Sequence, residues 1–249
     1  MIFDAADGMA LALMVCAGAT CYDAVIMDVP PAEKQMRSGT APPEAEVRLV
    51  SVGHSNHDWP AFVALLRGAG VTAVADVRSS PYSGRCPYFN RGALEGGLRE
   101  HGIAYLFLGD LLGGRPASPA LYDEAGRVDY ERVRETAEFQ CGLERLTRDL
   151  LGGKVAFLCS EEDPLDCHRG LMIAPALVER GYAPSHLRRD GSLETNEEME
   201  DRLLRETKVG DGIVDGLFAS LLSAEERRAL VAEAYRHMAR RKAYQLPQE

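Results

Sequence analysis

The sequence lacks the features that mark the simpler protein classes. Its most apolar stretch, residues 8–18, follows two aspartates and no lysine or arginine, so it has no basic leader of the secretory kind. It is also about half the roughly 20 apolar residues that a membrane-spanning helix needs. The six cysteines (Cys16, Cys21, Cys86, Cys141, Cys159, Cys167) are scattered and form no paired Cys-x-x-Cys. That excludes a disulfide-rich secreted scaffold and a zinc ribbon, and it predicts reduced thiols in a cytoplasm. Basic residues are the scarcer charge, 28 against 38 acidic, for a net charge of −10. Such a field repels polyanions and disfavours non-specific binding to nucleic acid or an anionic membrane. No internal repeat and no low-complexity tract occurs. The glycines of 92–97 and 109–114 do not form the Gly-x-Gly-x-x-Gly dinucleotide fingerprint after a first strand. Arg169 stands two residues after Cys167 and ten after Cys159, neither of them the separation found in the phosphate loop of cysteine phosphatases.

What is present suits a folded enzyme-sized chain. With 249 residues, 46% hydrophobic and 27% charged, it can build one large domain or a domain with additions. Residues 30–46, rich in proline, alanine and charge, read as a linker, and Met36 offers an alternative start. Residues 1–46 are therefore expected to be a flexible or misannotated extension. From Val47 onward, short β-branched runs alternate with helical patterns, the signature of parallel βαβ units. Strands are predicted over 47–53, 71–77, 103–108, 154–159 and about 186–188. Helices are predicted from a cap at Asp58, over 90–102, over 129–151 as one long element, and from Cys167 to Arg180, where Pro175 implies a kink. The segments 194–207 and 222–242 read as charged, appended helices with solvated faces. The expected fold is α/β: a Rossmann-like, open, mainly parallel sheet with flanking helices, over residues 47–193.

In open parallel sheets, ligands bind beyond the carboxyl ends of the strands, where the following helices point their N-termini. That rule selects Gly53, His54 and Ser55 after the first strand, Asp76 and Arg78 after the second, and Cys159 and Glu161 after the fourth. The densest constellation is Asp166-Cys167-His168-Arg169. A thiol that begins a helix beside an arginine favours its thiolate form, and a neighbouring histidine can shuttle its proton. The plainer alternative is that Asp166 caps, Cys167 packs as a small hydrophobe, and Arg169 pairs with Glu161 or Glu162. Cys159 ends an apolar run, which favours packing. A metal held by Cys159, Cys167 and His168, His54 or His57 fits no familiar zinc spacing, so neither metal nor cofactor is expected. Arg78, Arg85, Arg91, Arg115 and Arg169 recur beside these loops, and guanidinium forks match phosphate or carboxylate oxygens. Tyr82, Tyr88 and Phe89 interleave with them. They either stack a flat group or pin a long loop onto the sheet.

Taken in order, Ser51-Val-Gly-His-Ser, Ala75-Asp-Val-Arg-Ser-Ser-Pro, Pro87-Tyr-Phe-Asn, Leu108-Gly-Asp-Leu-Leu-Gly-Gly-Arg, Leu158-Cys-Ser-Glu and Asp166-Cys-His-Arg, with His186 before Asp190-Gly191, resemble the domain of unknown function 488 family over about residues 47–193. The resemblance implies a fold and a shared motif map, not a reaction. It draws Asn90, Gly114 and Arg115 into the pattern beside the strand-end residues above. Three functions stay open at this point. One is an enzyme on a phosphorylated or nucleotide-like small molecule, with Cys167 as nucleophile, His168 or His54 as acid/base, and Arg78, Arg115 and Arg169 holding the anion. The second is a nucleotide- or nucleic-acid-associated binding module without turnover. The third is a redox or sulfur-transfer protein using Cys159 and Cys167.

Overall fold

The computed structural model describes residues 48–149, 153–211 and 222–247. The extension expected over 1–46, and the end of the long helix near Leu150, lie outside them. Strands β1 (Arg48–Gly53), β2 (Val71–Asp76), β3 (Ala104–Phe107), β4 (Lys154–Cys159), β5 (Ser185–Leu187) and β6 (Leu193–Thr195) form one sheet in the order β3-β2-β4-β1-β5-β6. Pairing is parallel except between β5 and β6. The expected mainly parallel α/β sheet is thus the observed one. Its order differs from the doubly wound 3-2-1-4-5-6 arrangement, because β4 stands between β2 and β1. Both faces of the sheet are covered, which explains why the central strands read as continuous apolar runs and not as an alternation.

The layers follow from side-chain alternation. Val50, Val52, Val74, Ala156 and Leu158 face Phe62 and Leu66 of α1 (Trp59–Gly68) and Leu94 and Leu98 of α2 (Arg91–Glu100). Leu49, Ala73, Ala75, Val155 and Phe157 face the opposite layer. That layer is built by α3 (Gly109–Leu112), α4 (Tyr130–Glu135), α5 (Ala137–Arg148), α6 (Ala174–Glu179), α7 (Asn196–Thr207) and α8 (Ala224–Lys242). The charged helices α7 and α8 place Met199, Leu203, Ala234 and Met238 in the same buried cluster. Among the described residues, no helix is long and apolar enough to cross a membrane.

Three local expectations need correction. The single helix over 129–151 is two: Thr136 is extended (φ −71°, ψ 147°) and its hydroxyl accepts the Phe139 amide, which ends α4 and caps α5. The residue Cys167 does not begin the helix. It is extended (φ −140°, ψ 146°) after a 3-10 turn over Pro164–Asp166, and its carbonyl accepts the amides of Gly170 and Leu171. The chain then runs through a π-helical segment, Arg169–Ile173, into α6. Asp166 caps nothing here: Asp163 caps the 3-10 turn, accepting the Leu165 amide at 2.9 Å, and the segment after Cys167 begins at His168 with no side-chain cap. The long connection after β3 contains α3, and the three-residue β6 was not anticipated.

Register places the chemistry. Gly53 stands opposite Cys159, and Asp76 opposite Leu158, so the ends of β1, β4 and β2 are level. The chain leaves β2 for its neighbour β3, whereas it leaves β4 for β5 on the far side of β1. Adjacent strands whose exits diverge open a crevice at their carboxyl ends.

Candidate functional site

A cavity of about 350 Å³ occupies that crevice. Its walls come from the loop after β2 (Arg78, Ser79, Ser80, Tyr82), from Gly114 and Arg115, and from the segment after β4 (Cys159, Ser160, Glu161, Asp166, Cys167, His168). Tyr130, Lys242 and Tyr244 close it. A larger groove, about 610 Å³, lies between α4 and α8. It is lined by no cysteine or histidine, so the thiols and imidazole singled out from the sequence lie in the smaller cavity.

The floor is a cluster of two thiols and an imidazole. His168 Nε2 lies 2.9 Å from the Val77 carbonyl. The Nε2–H therefore donates there and leaves Nδ1 facing the sulfurs. Nδ1 is 3.6 Å from Cys167 Sγ and 3.7 Å from Cys159 Sγ. The three atoms all lie within 4.8 Å of one another, and the three residues are buried. The Arg169 amide points at Cys167 Sγ from 3.5 Å, and Cys159 Sγ donates to Glu161 Oε2 at 3.0 Å. Burial raises the Cys167 thiol. The Cys159 hydrogen bond, the charges of His168 and Arg169, and the His168 hydrogen bond outweigh that and hold it well below the ordinary thiol range. His168 is shifted up: burial opposes its charge, but the Cys167 sulfur stabilises it. Cys159 is pushed up by its hydrogen bond to Cys167, by burial and by the Cys167 and Glu161 charges. The pair divides its protonation accordingly. Of the two, Cys167 is the thiol favoured to lose its proton and Cys159 the one favoured to keep it.

Other residues selected at the sequence level hold this floor in place. Arg78 is 3% exposed. It donates to Asp76 through Nε (2.8 Å) and Nη2 (2.6 Å), and to the Phe89 carbonyl at 2.9 Å. Its Nη1 donates to His54 Nε2 at 3.1 Å. His54 in turn donates Nδ1–H to the Ser55 carbonyl and stacks on Phe89. Burial, then the Arg78 charge, lowers its pKa to about 4, so it is neutral with both nitrogens engaged. Arg169, 1% exposed, donates to the carbonyls of Glu161 (2.6 Å) and Glu162 (2.5 Å) and to Ser51 Oγ (3.3 Å). It does not line the cavity. Gly53 is required by close approach, since a Cβ there would stand 1.8 Å from the Glu161 carbonyl oxygen. Gly114 lies against the His168 ring, where a Cβ would come within 2.8 Å.

Of the remaining candidates, Asn90 accepts the Ser83 amide at 2.6 Å and folds the loop after β2. Ser55 takes a left-handed backbone (φ 44°) and pairs its amide with Ser160. Tyr88 donates to the His57 carbonyl, and Phe89 packs in the core. These two aromatics pin the loop, while Tyr82 is exposed at the mouth. Arg91 covers the Phe107 ring, away from the cavity. The cation left facing the cavity is Arg115, whose guanidinium lies 4.6 Å from the Tyr244 ring centre. Lys242 joins it, 2.6 Å from Asp166. Lys242, Tyr244 and Tyr130 were not found from sequence. The strand-end rule reaches only residues that follow strands, and these arrive from helices.

Residues 58–174 match the family model described as Domain of unknown function DUF488, a span that holds the cavity floor and Arg115 but not Lys242 or Tyr244. No curated protein and no solved structure matches the chain. The Asp76–Arg78 and Asp166–Arg169 motifs both lie inside the matched segment, and the match supports assigning this segment to the DUF488 family.

Proposed function

We propose that the protein is an enzyme acting on a small anionic molecule, phosphorylated or nucleotide-like, at the carboxyl edge of the sheet. One observation carries this reading: a single cavity at the divergence of β2 and β4 is lined both by Cys167 and His168 and by Arg115 and Lys242. The cations grip the anion, and the sulfur and imidazole of Cys167 and His168 meet the reacting part of the substrate. Tyr82 and Tyr244 flank the entrance and suit a flat group. Asp76, Arg78, His54 and Arg169 are positioning residues, since their polar atoms are spent on the protein itself. In this reading, residues 47–193 form the catalytic unit and 194–249 are helical additions that complete its wall. Working thiols suit a reducing compartment such as the cytoplasm.

A panel of phosphate esters and nucleotides, assayed for binding and turnover with the full chain, tests the reading. Arg115→Ala and Lys242→Ala should each weaken binding about tenfold, the scale of one charge-assisted hydrogen bond. Cys167→Ala should abolish turnover while the anion still binds. Binding that ignores Arg115 and Lys242, or full turnover by Cys167→Ala, refutes the assignment. Binding without turnover in the wild-type chain would make it a binding module.

A further inference from the structure

We propose that Cys159 Sγ, Cys167 Sγ and His168 Nδ1 are the three protein ligands of one thiophilic divalent ion of the zinc(II) class, whose fourth direction faces the cavity. The first argument is metric. Zinc binds thiolate sulfur at about 2.3 Å and imidazole nitrogen at about 2.0–2.1 Å, so a tetrahedral centre sets its S···N edges at about 3.6 Å. The two S···N separations here are 3.6 and 3.7 Å.

The second argument is the surroundings of the ligands. A metal-binding imidazole normally donates its other N–H to a carbonyl or carboxylate, which fixes the tautomer. His168 donates Nε2–H to the Val77 carbonyl and turns Nδ1 toward both sulfurs. The Arg169 amide directed at Cys167 Sγ supports a thiolate there. Two buried thiolates cost much free energy unless their charge is compensated, and a dication compensates both. On binding, Cys159 surrenders its proton to solvent, as does any proton held between Cys167 and His168, and the two sulfurs and Nδ1 each give a lone pair to the metal.

The third argument is the open side. Closed four-ligand sites are structural, whereas three protein ligands and a solvent-facing corner mark a catalytic centre. All three residues line the 350 Å³ cavity. The sequence hides this set, because Cys159, Cys167 and His168 match no familiar spacing. The end of β4 and the extended Cys167 bring them together. Among the described residues, these three are the group of cysteine, histidine and carboxylate side chains close enough to share an ion. The inference deepens the reading of the cavity as an active site, and rests on it only for the use of the fourth position. There the ion would be the site's Lewis acid, with Cys167 its ligand rather than a free nucleophile.

The test uses the full chain, stripped with a chelator under reducing conditions and titrated with Zn²⁺ against a chromogenic competitor. One ion per chain is expected, and Co²⁺ in its place should give a sulfur-to-cobalt charge-transfer absorption. Cys159→Ser, Cys167→Ser and His168→Gln should each lower metal affinity more than about 100-fold, since loss of an outer partner alone costs 10–100-fold. Cys86→Ser, whose sulfur lies in the opposite layer, should leave the cobalt spectrum unchanged. Should a ligand variant fail to fold, the wild-type cobalt spectrum still decides. A folded wild-type chain that takes up neither ion, or holds them no better than Cys159→Ser, overturns the proposal. Phosphate-ester binding is measured separately. Metal uptake without it would sink the substrate reading and leave the metal site standing.

Discussion

Arg78 and Arg169 are buried guanidiniums whose donors are met by the fold. Asp76, which is fully buried, accepts from the backbone and side chain of Arg78 and from the Tyr105 hydroxyl at 2.9 Å. Removing one partner of such a pair leaves the other charged and unsolvated, which costs about 3–5 kcal/mol. Asp76→Asn should therefore lower unfolding free energy by about that amount in urea, whereas exposed Arg115→Ala should stay within about 0.5 kcal/mol of wild type. At Gly53 the constraint is steric. A methyl 1.8 Å from a carbonyl oxygen must push the 160–162 loop off the sheet. Gly53→Ala should destabilise by about 1–3 kcal/mol and also displace Cys159, so loss of stability and of thiol reactivity should be measured together.

At the scale of elements, the break between α4 and α5 rests on Thr136, whose hydroxyl accepts the Phe139 amide and donates to the Val133 carbonyl. Thr136→Ala should cost about 1 kcal/mol by thermal or urea unfolding, while Thr136→Ser should retain most of the stability. The apolar spacing runs straight through this position, so periodicity alone reads one helix where the cap makes two. The same limit applies after β4. Periodicity shows that a helix follows, but not that Cys167 is extended or that residues 169–173 take a π register, which depends on tertiary packing beneath Pro164 and Gly170. The central strands β1, β2 and β4 were legible because buried parallel strands are largely continuous apolar runs; β6, three residues at the edge, carries no such run. Residues such as Cys159, Glu161 and His168 were legible as strand-end chemistry. That Arg169 faces inward was not, because its partners are backbone carbonyls, which leave no mark on residue identity.

Across the whole molecule, a buried polar chain links the cavity floor to the outer helices. Arg169 donates to Ser51, whose hydroxyl lies 2.8 Å from His186 Nδ1. His186 Nε2 faces Asn196 Oδ1, and Asn196 donates to Glu200, which also accepts from Arg227 of α8. Burial and then the Arg169 charge lower the His186 pKa to about 3. The unfolded chain, with an ordinary histidine near 6.5, therefore binds a proton that the folded chain does not. Stability should fall as pH drops from about 6.5 toward 3. Asp163 adds a second loss. Burial opposes its charge, but hydrogen bonds from Arg188, Arg202 and the Leu165 amide lower its pKa from 3.8 to about 2. Its contribution should disappear between those values. Urea midpoints measured from pH 7.5 to 3 should decline throughout, and His186→Gln should flatten the upper part of that decline.

The cavity is assembled from two unequal parts. Its sulfurs, imidazole and Arg115 fall within the family-matched span 58–174, but Lys242, which ends the last helix, and Tyr244, which follows it, lie outside that span. A chain keeping the same central span with a different final helix would present the same floor of two thiols and an imidazole behind another doorway. Which molecules enter could then be retuned by exchanging α8 and its tail, with the buried machinery beneath left untouched.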